Sequence, residues 1–287
     1  MNKKNLIILL AMVSLRAYSQ SDEDIFSFNY TLAPTGNDAI DFHKTDFKLN
    51  IPLKLEKGIL KNSVKLNYYQ FDFRDINFNT EELEHIYNLS YDLSYNHLIN
   101  NKWKLNTTIG VSIASNFASN LSSSDIFFNG SLAFIKNGGT EEKPSQFTFG
   151  AMYSTITGEP RILPLISYKK TVNQKFSFQL GFPKAYVKYK LDKMSTFKAS
   201  IVQDGYYGNL SKFIYTSIDE EVNKMSFSAT SLGLEYNYWM GEYWTIVFKG
   251  GYSAFNNYKV DNSQNNSTYN FNVNDQPYFS TGVKFNF

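Results

Sequence analysis

The sequence contains no cysteine. Disulfides, thiolate zinc sites and iron–sulfur clusters are therefore excluded. Histidine is scarce, at three residues, and no two of them recur on one strand face at metal-ligand spacing. An excess of one charge is also missing, since 28 Lys and Arg stand against 26 Asp and Glu. A nucleic-acid binder would carry a clustered basic face, so that class is set aside. Long apolar runs are missing too. The single run present is about half of the roughly 20 residues a membrane helix needs, which excludes a helical bundle. No phosphate-binding loop, dinucleotide glycine pattern or nucleophile elbow occurs. No metal, cofactor or nucleic-acid partner is expected. What the chain does have is aromatic side chains, 25 Phe and 21 Tyr, within an apolar share of 43% that is too high for a disordered protein.

The one apolar run lies at the start. Lys3 and Lys4 precede Leu6 to Leu15, and Ala17 and Ser19 place small residues where a signal peptidase reads. This is the layout of a secretory signal peptide, expected to span residues 1–19, with one domain over 20–287. Removing it takes away Lys3, Lys4 and Arg16 but no acidic residue, so the mature chain carries a net charge of −1.

From Ile25 onward the pattern has period two. Tyr87, Leu89, Tyr91, Leu93 and Tyr95 alternate with Asn88, Ser90, Asp92 and Ser94. Phe47, Leu49, Ile51, Leu53 and Leu55 do the same, as do Trp103, Leu105, Ile109, Val111 and Ile113. Such alternation places one face in an apolar medium and the other in a polar one. Many runs reach the roughly 9–11 residues that cross a bilayer as a tilted strand. Strands of soluble proteins more often stop at about 5–6. A soluble β-sandwich would bury its apolar faces against each other, but the run lengths and the signal peptide favour a transmembrane barrel.

Short connections, at 56–61, 98–102, 171–174, 192–195 and 239–242, largely alternate with longer polar ones at 34–43, 75–83, 117–124, 206–223 and 256–274. Outer-membrane barrels show this alternation of short periplasmic turns and long outer loops. The segment 137–144 breaks the rule by being long on the periplasmic side, and 157–160 and 183–184 break it the other way, as short outer connections. An even count then requires 210–218 to be a structured outer loop and 224–238 a strand. The expected fold is all-β, a single antiparallel transmembrane β-barrel of about 14 strands, within a range of 12–16. Trp103, Trp239 and Trp244 flank short turns, as interface aromatics do.

The chain ends with Phe279, Val283, Phe285 and Phe287 on one face. This ending resembles the terminal strand of Gram-negative outer-membrane barrels, which implies that the barrel-insertion machinery reads it and that it closes on a first strand over 25–32. The segments Leu163-Pro164-Leu165-Ile166-Ser167-Tyr168 and Phe176-Ser177-Phe178-Gln179-Leu180-Gly181-Phe182-Pro183 resemble the uncharacterised outer-membrane β-barrel families of Bacteroidetes-type bacteria. That resemblance implies a location in the cell outer membrane, reached by secretion across the inner membrane, with outer-membrane lipid as the surrounding partner. It implies no reaction, and oligomeric state is not legible.

The inward stripe is where function is expected. Its lumen-lining candidates are Lys48, Lys54, Lys65, Asp92, Lys104, Lys188, Lys190, Lys198, Glu235 and Lys249. Lysine outnumbers acid there, which in an open lumen favours anions. A non-enzymatic pore or channel for small solutes is the first reading. A structural or surface-binding barrel with a filled lumen is the alternative. The third is an outer-membrane hydrolase with a rim site, built from His43 with Asp41 and Asp46, or from His85 with Glu81, Glu82 and Glu84. His97 near a short turn reads as structural. The stretch Asp204-Gly205-Tyr206-Tyr207-Gly208 reads as a loop that could stack a sugar or a peptide.

Overall fold

A computed structural model describes residues 24–34, 40–216, 220–262, 267–271 and 273–286. The expected signal peptide and Phe287 lie outside the described residues. The strands are β1 Phe26–Ala33, β2 Ile40–Leu55, β3 Gly58–Phe73, β4 His85–Leu98, β5 Trp103–Ser115, β6 Ile126–Gly139, β7 Pro144–Ser154 and β8 Arg161–Thr171. They continue with β9 Phe176–Phe182, β10 Lys184–Lys190, β11 Ser195–Tyr215, β12 Glu221–Met240, β13 Trp244–Asp261, β14 Ser267–Asn270 and β15 Gln276–Phe285.

Each strand pairs antiparallel with its neighbour, and β15 closes the ring by pairing with both β13 and β1. Phe26 sits opposite Phe285 at that seam. Among the described residues the short β14 pairs with β13 alone, so fourteen strands form the wall. Both ends of the described chain and the short turns lie at one end of the ring, called here the terminal end, except for the one-residue connection at Pro183 between β9 and β10, which lies at the other end. The expected long exception at 137–144 shrinks to 140–143, because β6 runs to Gly139 and β7 resumes at Pro144. Gly241, with φ of +78°, supplies the left-handed turn between β12 and β13 that other residues resist.

Over the middle of the wall, alternation sorts the side chains as a bilayer requires. Leu89 (42% exposed), Leu234 and Phe248 point outward, while Ser90, Asp92 (7%) and Glu235 point inward. Trp244 packs on Phe26 and Phe285 near the terminal end, with ring centroids 6.4 and 4.9 Å apart. Amphipathic rings collect at such interfaces because one part wants lipid and the other water.

Toward the opposite end the polarity reverses while the strands continue. On β2 the inward residues become Ile40 and Phe42, both buried, and the outward ones Asp41 and His43. On β3 Tyr69 and Phe71 turn inward, with Gln70 and Asp72 outside. A wall that is polar outside and apolar inside belongs in water, so this section projects beyond the membrane. It holds an aromatic core in which Phe227 meets Tyr69 at 5.2 Å, Tyr258 at 5.3 Å and Phe42 at 5.7 Å. Burial of each such ring stabilises by about 1.5–3 kcal/mol.

The projecting section uses fewer strands than the ring below. β9 and β10 have seven residues each, and β10 follows β11 only as far as Val202. Beyond that point β11 instead meets β5, through a parallel pairing of Asn209 with Ser115 and a 3.3 Å contact between the Ser115 and Ser211 hydroxyls. This corrects the expected loop at 210–218, since β11 continues to Tyr215. Its upper part is covered on both faces, by Tyr69 against Tyr206 on one side and Phe127 against Tyr207 on the other. Tyr206 and Tyr207 are therefore buried in a strand, not displayed on a stacking loop.

The connection 155–160 lies against this same section. The Gln203 side-chain amide donates to the Ile156 carbonyl at 3.3 Å. Lys259 donates to Glu159 at 2.7 Å, and the Arg161 Nε–H donates to it at 3.0 Å. The Lys259 hydrogen bond, with Arg161 adding to it, holds the Glu159 carboxyl below the usual glutamate range. A lowered folded pKa stabilises above the unfolded value, and that contribution is lost as pH falls through the lowered one. Hydrogen exchange over residues 155–160, corrected for intrinsic rate, is expected to accelerate as pH drops below about 4, near the ordinary glutamate value. Glu159→Gln should abolish that pH dependence; an unchanged acid response in this variant would assign it to another group.

Candidate functional site

Inside the ring, directly beneath the aromatic core, lies a cavity of about 360 Å³. β1, β2, β10, β11, β12, β13 and β15 all contribute to it. Phe42, Phe227 and Tyr258 form its ceiling, and Asp24 and Lys284 lie toward the terminal end. Five lysines line it, Lys44, Lys184, Lys198, Lys249 and Lys284, against four carboxylates, Asp24, Asp46, Asp204 and Glu235.

The charges fall into two groups. Lys44 bridges Asp204 at 2.8 Å and Asp46 at 3.1 Å. Glu235 receives Lys284 at 3.0 Å, Lys198 at 3.6 Å and the Asn237 amide at 2.9 Å. Burying a charge is costly unless it is paired, and these pairs, with Lys284 also 3.9 Å from Asp24, meet that demand for all four acids. Lys184 and Lys249 instead have rings beside their ammonium groups, Tyr186 at 5.9 Å and Tyr278 at 5.0 Å.

A family model matches residues 35–286, nearly the whole ring. The chain belongs to that family, described as Domain of unknown function (DUF6268). No curated protein matches it. Among solved structures it is similar to the NanC porin, at 8% identity over 91% of this chain and 100% of that one, with a TM-score of 0.42. It is similar to the COG4313 outer membrane channel from Pseudomonas putida F1, at 10% identity over 93% and 98%, with a TM-score of 0.43. It is also similar to the outer membrane phospholipase A from Escherichia coli, at 13% identity over 95% and 97%, with a TM-score of 0.39. A porin, a channel and a phospholipase stand side by side here, so the likeness selects no activity.

Of the residues expected to line the lumen, Lys198, Glu235 and Lys249 lie on this cavity. Lys65 and Asp92 form their own pair at 2.6 Å, on β3 and β4. Lys48 stands opposite Lys65 across β2 and β3, and Lys188 opposite Lys198 across β10 and β11. Lys104 is half-buried on β5, and Lys54 and Lys190 are exposed near the terminal end. Phe279, Val283 and Phe285 share the outward face of β15, where the strand pairs with β1.

Several cavity residues escaped the sequence reading. Lys44 sits where the outward apolar pattern changes phase, Asp46 is expected from sequence only as a rim carboxylate beside His43, and Asp204 only as part of a loop. Lys184 was assigned to a turn, though it is the first residue of β10. The proposed rim pairs are also rearranged. His43 faces outward, with the Tyr30 hydroxyl 3.0 Å from Nδ1 and Asp72 3.6 Å from Nε2. Asp41 is instead bound by Arg74, and Asp46 by Lys44. His85 meets the Tyr68 hydroxyl at 2.8 Å, while Glu82 pairs with Lys212 at 2.9 Å.

Proposed function

We propose that this DUF6268 barrel is a non-enzymatic outer-membrane channel for small solutes, with its terminal end in the periplasm and its aromatic section outside the cell. The observation that carries the reading is the charged, water-compatible cavity inside the ring, closed toward the opposite end by the aromatic core whose lowest rings are Phe42, Phe227 and Tyr258. A lumen committed to structure alone would have no need of nine ionisable groups around an unfilled space. Cations exceed carboxylates by one there, so anions are the favoured permeant. Assembly of the channel would rest on the outward aromatic face of β15, read by the barrel-insertion machinery. The Bacteroidetes-type affinity of 163–168 and 176–183 belongs to the same proposal.

Planar-bilayer recording of the refolded protein tests this. Infrequent small steps are expected, with a reversal potential shifted toward the anion in a salt gradient. The aromatic core favours a second reading, a surface barrel whose lumen is filled. Silence both from the wild type and from a variant lacking a ceiling ring would establish that second reading and remove the first.

A further inference from the structure

The cavity carries more specific chemistry than a charged passage requires. Gln276 and Tyr278, on β15, are 3% and 5% exposed and both line it. Among the described residues, the Gln276 side-chain carbonyl and the Tyr278 hydroxyl are buried without hydrogen-bond partners. A buried polar atom left unpaired costs about 1–3 kcal/mol, so a strand that places two side by side has a use for them.

The wall around them is shaped to fit. Gly233 and Gly251 face each other across β12 and β13. A Cβ on either would collide with the Tyr278 hydroxyl, so the pair of glycines makes the space in which that phenol lies. Lys249 rests its ammonium 5.0 Å above the Tyr278 ring. Among the described residues, an unpartnered acceptor, an unpartnered phenol and a lysine that stands opposite Glu235 but forms no direct salt bridge thus converge on one part of the cavity.

Each group specifies part of a ligand. The Gln276 carbonyl can only accept, so the ligand must donate, as a hydroxyl does. The Lys249 ammonium can only donate, so the ligand must also carry an acceptor, best an anionic one. Five lysines against four carboxylates leave a single positive charge, which one carboxylate neutralises. We propose that this cavity binds a small polyhydroxylated monocarboxylate, its carboxylate toward Lys249 and its hydroxyls toward Gln276 and Tyr278.

This inference rests on the channel reading for its purpose, but its test does not depend on conduction. Isothermal titration calorimetry of the refolded full chain in detergent, with D-gluconate as probe, measures binding directly. Hexanoate keeps the carboxylate and loses the hydroxyls; sorbitol keeps the hydroxyls and loses the carboxylate. Gluconate is expected to bind at least about tenfold more tightly than either. Lys249→Met and Gln276→Leu should each weaken it about tenfold, with the heat-modifiable gel shift of the folded barrel unchanged. Equal affinity for gluconate, hexanoate and sorbitol, or undiminished binding by both folded variants, would overturn the site. Gluconate binding by a barrel silent in bilayers would keep the site and remove the channel. Conduction without gluconate selectivity in the calorimeter would do the reverse.

Discussion

Replacing Phe227 with alanine is expected to destabilise the barrel by about 3–5 kcal/mol and, in the same molecule, to raise its conductance. Phe227 is 3% exposed and meets the rings of Phe42, Tyr69, Phe71, Tyr206 and Tyr258. It also forms part of the cavity ceiling. Truncation removes the central ring of those that join β2 and β3 to β12 and β13, and the neighbours can close only part of the space. The loss of stability is read from urea midpoints in lipid vesicles; the gain in conductance is read in planar bilayers. Thr230→Ala, on the same strand but facing away from the core, should change neither by much. A destabilised Phe227→Ala barrel that conducts no better than wild type would show that the ceiling is not the obstruction.

The two parts of the wall were unequally legible in the sequence, for one physical reason. Between Tyr87 and Tyr95 the alternation is plain, because β4 has lipid on one face and polar lumen on the other. The strand count of fourteen followed from such segments together with the parity of their connections, and the closure of the last strand on the first from the resemblance of the C-terminal ending. On β2 the apolar residues are odd-numbered from Phe47 to Leu55 but even-numbered at Ile40 and Phe42. The backbone alternates without interruption; the solvent outside has changed from lipid to water. Read as a pattern, that phase change looks like the start of a loop, which is why 34–43 was expected to be one. On β12 the phase changes between Phe227 and Leu232 in the same way.

The cavity suffered from the same effect. Lys198, Glu235 and Lys249 lie where the membrane pattern still holds, and alternation alone assigned them inward. Lys44, Asp46 and Asp204 lie close to the phase change, where neither solvent dominates. The upper part of β11 was harder still, because Tyr206 packs on Tyr69 and Tyr207 on Phe127. A strand buried on both faces loses its period-two signal. The available signal was the phase reversal itself, repeated on β2, β3 and β12, which marks the membrane boundary more sharply than the aromatic residues do.

The facing of the membrane-spanning wall yields the other large effect. Leu89→Arg is expected to cost about 2–4 kcal/mol in lipid vesicles, the range for a cation near the bilayer centre on a lipid-facing strand position. Ser90→Arg, one residue on, should stay within about 1 kcal/mol of wild type, because that side chain points into the polar lumen beside Lys65 and near Asp92. Both substitutions add the same group to the same strand, so strand propensity and chain charge cancel in the comparison. Only the medium that receives the guanidinium differs. Urea midpoints of the refolded variants, read by gel shift, measure the difference. A larger cost at Ser90 than at Leu89 would mean that β4 is turned by one residue, and with it every inward lysine assigned from the same alternation.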